Sequence, residues 1–245
     1  MTEPRGLQLA QRRDITALFR DALGVFVRHF GTFMALSAVV VVPVQLLVSG
    51  FGLGEFTAGY DSSPGIAETL IPLAVSFLVV APLINAICIH ALRSVANGQA
   101  PGARNAIVEG FEAFTPIFLA VLLVAAGVAL GFALLFIPGI YLAVRWYFVP
   151  QAVILEDARG PAALARSMEL TRGFWWRSFG IVALANLVAA MPALLLAGPL
   201  AAVAESTDRA VWSLVGSTLA QMISAPFLAL ISTLLYYDLR ARRGS

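Results

Sequence analysis

Charge is what this 245-residue chain has least of: Asp, Glu, Lys and Arg together make up 12% of it. A soluble domain of this size carries about 25% charged residues, and its apolar share is about 45–50%. Here the apolar share is 60% and the mean hydropathy is +0.86. So few charges cannot cover a water-exposed surface, and the composition reads as that of a membrane protein. Lysine is absent; all 16 basic residues are arginine, a pattern taken as codon or lineage bias. The formal net charge of +2 is too small to imply a nucleic-acid partner. A single cysteine, Cys88, excludes a disulfide framework and a cysteine-based metal knuckle.

Catalytic patterns are equally scarce. The chain has two histidines, His29 and His90, both near the ends of hydrophobic runs. Cys88 and His90 stand two apart and do not share a helix face. There is no H-E-x-x-H, no G-x-S-x-G, no phosphate-cradling glycine loop and no carboxylate pair within a hydrophobic run. No enzyme and no cofactor is expected.

What the chain does have is long apolar stretches. A hydrocarbon core about 30 Å thick needs about 20 residues at a rise of ~1.5 Å each. Six spans are expected near Gly31–Phe51, Thr69–Leu92, Thr115–Ile137, Gly139–Leu155, Phe179–Leu200 and Ala210–Tyr237. The fourth is short, holds Arg145, and follows the third across Ile137-Pro138-Gly139, which reads as a tight return turn. One continuous helix through Pro138 would run about 40 residues, too long for one crossing. The expected organisation is a single membrane domain over 1–245. It comprises an amphipathic arm (1–30), a six-span bundle (31–237) and a basic tail (238–245).

Arginine placement sets the topology. Arg5, Arg12, Arg13, Arg20 and Arg28 lie in the arm, and Arg93 and Arg104 in the second connection. Arg159, Arg166, Arg172 and Arg177 fill the fourth, and Arg240, Arg242 and Arg243 the tail. On the opposite side only Arg209 accompanies Glu55, Asp61, Glu68, Glu205 and Asp208. Basic connections mark the cytoplasmic side, which puts both termini inside and requires an even number of spans. Arg12-Arg13 is followed by a charged, amphipathic stretch without a small-residue cleavage site, so the first span is read as a retained anchor.

Each odd-numbered span follows a short amphipathic segment. In the first, Ile15, Leu18, Phe19, Ala22, Leu23 and Phe26 share one face, with Arg13, Arg20, Asp21 and Arg28 opposite. In the second, Ile107, Phe111 and Phe114 line one side. In the third, Pro161 opens a helix in which Leu164, Met168, Thr171 and Trp175 alternate with Arg166, Glu169 and Arg172. Such segments suit the cytoplasmic interface, with guanidiniums near anionic lipid phosphates. The fold expected is therefore all-α: three copies of interfacial helix, span and return span. Three basic amphipathic linkers of no common origin are the alternative.

Arg145 is the charge placed deepest, about 9 Å from the outer end of its span by helix rise. A mid-membrane arginine costs ~2.5–3.5 kcal/mol on insertion scales, less off-centre. It is read either as an anion or lipid-phosphate contact, or as a side chain that snorkels or bonds carbonyls freed by prolines. Pro43, Pro82, Pro150, Pro192 and Pro226 interrupt the spans, and Gln45, Asn85, Gln151, Asn186 and Gln221 are polar within them. These suit a polar cavity or, alternatively, hydrogen bonds between helices. Tryptophans and tyrosines near span ends read as an interface belt.

One stretch has a relative. Ile137-Pro138-Gly139-Ile140-Tyr141, Arg145-Trp146, Leu155-Glu156, Ala163-Leu164-Ala165-Arg166-Ser167, Leu170-Thr171-Arg172-Gly173, Trp176-Arg177 and Phe179-Gly180 are its residues. Over about 45 residues this resembles the membrane domain attached to some bacterial glycerophosphoryl diester phosphodiesterases, and related stand-alone six-helix membrane proteins of unknown function. The resemblance implies fold and location. Hydrolysis does not follow, because that chemistry belongs to a soluble barrel with paired histidines and metal-binding acids, which this chain lacks.

The expected protein is a non-enzymatic component of the inner membrane, lipid-interacting or a scaffold for another membrane protein or for a second copy of itself. A small transporter or permease subunit using the proline-broken spans and Arg145 is the alternative. Arg145, Arg166, Arg172 and Arg177 are the candidate anion or lipid contacts, with anionic headgroups at the cytoplasmic face as partners. Single cysteines placed in a Cys88-free background at 61 and 208 should label from outside, and those at 97 and 159 from the cytoplasm. Labelling of position 61 from the cytoplasm alone would overturn six spans.

Overall fold

The computed structural model describes residues 11–48, 66–97 and 103–244. Arg5, Glu55 and Asp61, used above for topology, lie outside them. Every regular element among the described residues is helical. The helices are α1 (Ile15–Arg28), α2 (Phe30–Val48), α3 (Ile66–Val75), α4 (Ala81–Ala96), α5 (Ala103–Glu112) and α6 (Phe114–Leu134). They continue with α7 (Phe136–Arg145), α8 (Val149–Glu156), α9 (Pro161–Thr171), α10 (Trp175–Ala189), α11 (Gly198–Thr207) and α12 (Val211–Arg243). A π-helical stretch, Ser76–Val80, joins α3 to α4, and another, Ala193–Ala197, leads into α11.

Five helices among the described residues are long and apolar enough to cross a membrane: Phe30–Val48, Leu70–Ala96, Phe114–Leu134, Trp175–Thr207 and Val211–Arg243. The last is 33 residues, about 50 Å by helix rise, so it outruns a hydrocarbon core at one end or both. Around it the others assemble: α12 packs on α1, α2, α4, α9, α10 and α11.

The expected fourth span differs in form. Residues 139–155 do not make one helix; α7 and α8 are separated by Trp146-Tyr147-Phe148. Pro150 is the cause. Its ring collides with the carbonyl four residues back, that of Trp146, so the helix stops one turn early. The return turn also moves. Leu135 carries the extended backbone (φ −162°, ψ 146°), while Pro138 and Gly139 sit inside the first turn of α7, where an absent amide leaves no intrahelical bond unmade. Gly139 is required by close approach: a Cβ there would lie 2.5 Å from the Phe132 ring. Glycines at such seams let helix backbones pack closely in a membrane.

The three short helices are present, each leading into a long one across a break of one to three residues at His29, Ala113 and 172–174. Their apolar faces turn further into the protein than the lipid-facing pattern suggests. In α1, Leu18, Ala22, Val25 and Phe26 are buried while Leu23 and Val27 are exposed. Phe26 lies 6.2 Å from Phe227 of α12, ring to ring. In α9, Ala163, Ser167, Leu170 and Thr171 are buried.

Buried Ser167 repairs the break between α7 and α8. Its hydroxyl donates to the Arg145 carbonyl (2.8 Å) and accepts the Phe148 amide (3.2 Å). Two backbone groups left over at the break thus share one side chain. Ser167→Ala should lower stability by about 1–3 kcal/mol, because both groups would remain buried and unpaired. A thermal melt in detergent within 1 °C of wild type would show that this bond is not needed.

Candidate functional site

Two clusters of charge and one cavity stand out among the described residues. The first cluster centres on Asp238, fully buried near the end of α12. Its Oδ1 accepts the Arg13 amide (2.7 Å), and its Oδ2 accepts Arg177 Nη2 (3.1 Å) and Arg242 Nε (2.9 Å). The Arg13 carbonyl in turn accepts Arg177 Nη2 (2.6 Å) and Arg242 Nη2 (2.9 Å), while the Arg13 side chain pairs with Asp21 (2.9 Å). The start of α1, the start of α10 and the end of α12 are thereby tied at one point.

The second cluster closes the turn between α8 and α9. Arg166 Nε meets Glu156 at 2.6 Å and its Nη1 meets Glu169 at 2.9 Å; the Tyr236 hydroxyl donates to Glu156 at 2.6 Å. Burial alone would push the Glu156 carboxyl up. The hydrogen bonds from Arg166 and Tyr236 and the nearby Arg166 and Arg240 charges outweigh it and hold the carboxyl below its ordinary value. The same bond from Glu156 raises Arg166 above the arginine value despite burial.

The candidate anion contacts therefore separate. Arg166 and Arg177 have carboxylate partners within the chain. Arg172 is exposed, and its backbone carbonyl accepts Arg243 Nη2. Arg145 Nη1 donates to the Met168 carbonyl in the last turn of α9 (2.9 Å), and its guanidinium carbon lies 5.5 Å from the Tyr141 ring centre. Arg145 Nε is buried without a hydrogen-bond partner.

The cavity lies inside the bundle, with a volume of about 610 Å³. Four of the five polar residues singled out in the spans line it: Asn85, Gln151, Asn186 and Gln221. Gln45 stands behind them, donating to Gln221 Oε1 (3.2 Å), and Gln221 donates to Ser76 Oγ (3.3 Å). At the other flank Gln151 Nε2 donates to Ser232 Oγ (2.8 Å) and Asn85 Oδ1 (3.2 Å). Arg145 is not among the lining residues, and none of those is Asp, Glu, Arg or His. Most of the remaining wall is apolar, including Val121, Val124 and Leu228, and Leu73 and Phe77 line it while also being exposed.

Three polar contributors escaped the sequence reading: Ser76, Ser224 and Ser232. On α12 the signal was available, because Gln221, Ser224, Leu228 and Ser232 recur at steps of three and four and form one stripe. Trp146, one of the tryptophans expected in an interface belt, lines the cavity; its ring occupies the space where Gly127 has no Cβ. Among the described residues no group of three or more His, Cys, Asp or Glu could hold a metal ion. Comparison with family models, with curated proteins and with solved structures finds no match to this chain.

Glu156 supplies a pH prediction. Its folded value is depressed, so its contribution is complete above the unfolded value of about 4.3 and fades as pH falls through the lower, folded value. At pH 7 Glu156→Gln should cost about 1–2 kcal/mol, less than a fully buried pair would. The gap between wild type and variant in thermal melts should narrow below pH 4. A gap that stays constant from pH 7 to 3 would remove Glu156 from the acid-labile contacts.

Proposed function

We propose that this chain is a non-enzymatic, multi-pass protein of the bacterial inner membrane whose work is to bind lipid. The observation that carries the reading is the cavity: mostly apolar walls, a neutral polar flank, no charged residue among the described lining, and exposed Leu73 and Phe77 at its edge. A transport path for a charged solute needs polar or charged groups along its length, and Arg145 is spent on a backbone carbonyl instead.

Orientation follows the arginine bias, with both termini cytoplasmic. The bond between the Arg13 amide and Asp238 supports termini on one side. That favours an even number of crossings, with α7 and α8 together forming a broken sixth beside α6. At the cytoplasmic face, exposed Arg93, Arg104 and Arg172 meet anionic headgroups. The resemblance to the phosphodiesterase-associated membrane domain fits this reading as location without hydrolysis.

The test is retention. Chain purified in detergent and washed by repeated size-exclusion should keep about one lipid molecule per chain, one occupant for one cavity of this size, seen by native mass spectrometry. A folded preparation, judged by circular dichroism, that retains no lipid of any class would overturn the reading.

A further inference from the structure

We infer that the cavity takes an uncharged, hydroxyl-bearing lipid of the diacylglycerol type, its hydroxyl on the polar flank at Gln151 and its chains leaving past Leu73 and Phe77. This rests on the lipid reading above and gives the ligand a class.

Charge is the first criterion. Among the described lining residues there is no Asp, Glu, Arg or His. A phosphate in such a place would lose its water with no cation to replace it, which in a low-dielectric interior is prohibitive. A phospholipid headgroup is therefore disfavoured where a neutral one is not.

Hydrogen-bonding valence is the second. Gln151 is 1% exposed, and both its amide bonds run to Asn85 and Ser232, yet its Oε1 is buried with no partner. Trp146 Nε1 is buried with no partner as well. One acceptor and one donor are thus left over on two residues that both line the cavity. Buried polar groups are ordinarily paired, so such a remainder calls for an explanation. A hydroxyl complements either group, donating to Gln151 Oε1 or accepting from Trp146 Nε1 once that side chain turns its polar edge to the cavity.

Size and rim are the third. About 610 Å³ falls within the ~300–1,000 Å³ of small-molecule sites and is too little for a whole two-chain lipid. It suits a glycerol end with the upper part of its chains. Leu73 and Phe77 are 64% and 51% exposed, so the chains continue over apolar side chains already turned outward.

The probe is dioleoylglycerol with a diazirine in one acyl chain, carried in phosphatidylcholine nanodiscs with the full-length protein. Photolysis should label peptides that contain Leu73 to Phe77 or Val124 to Val128. Unlabelled dioleoylglycerol should compete, and phosphatidic acid at the same mole fraction should not. Gln151→Leu should weaken competition about tenfold, the weight of one buried hydrogen bond. Ala225→Phe, which fills the cavity from a half-buried wall position, should abolish labelling while the thermal melt shows a folded protein. Undiminished labelling in Ala225→Phe, or wild-type affinity in Gln151→Leu, overturns the inference, the latter pointing to ordered water on Oε1. Equal competition by phosphatidic acid overturns it too, but leaves the lipid reading standing. Absence of retained lipid of every class removes both.

Discussion

A proline in a helix surrounded by hydrocarbon leaves a carbonyl without its amide, and no water is at hand to take the amide's place. Much of this bundle follows from how neighbours answer that demand. Pro150 stops α7, and Ser167 of α9 supplies both a donor for Arg145 and an acceptor for Phe148. α9 must therefore lie against the break, and Arg145 is then within reach of its Met168 carbonyl. Ser224 does the same service near Pro192: its hydroxyl donates to the Ala189 carbonyl at 2.6 Å, at the end of α10. Packing between helices is in this sense dictated by backbone valence as much as by shape.

The ends of the bundle obey a different rule. Near water, charges can gather if each is partnered, and Asp238 has three separate donors among Arg13, Arg177 and Arg242. Removing the carboxylate would leave two guanidiniums, each about a fifth exposed, crowded together without their counter-charge, the situation in which breaking a buried pair is most damaging. The arginines that the sequence offers as topology markers thus also tie α1 and α10 to α12.

How much of this was legible in the sequence differs by feature. Long apolar runs and short amphipathic helices depend on local composition and period; five of the six expected runs and all three short helices are found among the described residues, the fourth run being broken in two. The division of α7 from α8 depends on Pro150 and could have been read one turn upstream of it; at the other end of α7, the Pro138-Gly139 pair put the return turn a few residues late, since the extended residue is Leu135. Proline in a first helical turn is harmless, so position relative to the helix start decides its effect. Partner choice was out of reach. Nothing local says that Arg166 meets Glu156, that Arg177 meets Asp238, or that the faces of α1 and α9 turn inward, because each depends on residues far along the chain.

The cavity joins these strands. Pro82 and the π-helical stretch Ser76–Val80 before it bring Ser76 and Phe77 to its wall. Pro150 and the turn at Trp146–Phe148 bring Trp146, Tyr147 and Gln151. A continuous helix in either place would turn different side chains toward α12, since an added residue in one turn rotates all that follow by about 100°. The polar stripe of α12, from Gln221 to Ser232, then faces the two irregular segments together. Both interruptions are costly in hydrocarbon and each needs outside partners. Their convergence on one neutral, partly polar space makes the breaks the means by which that space is formed.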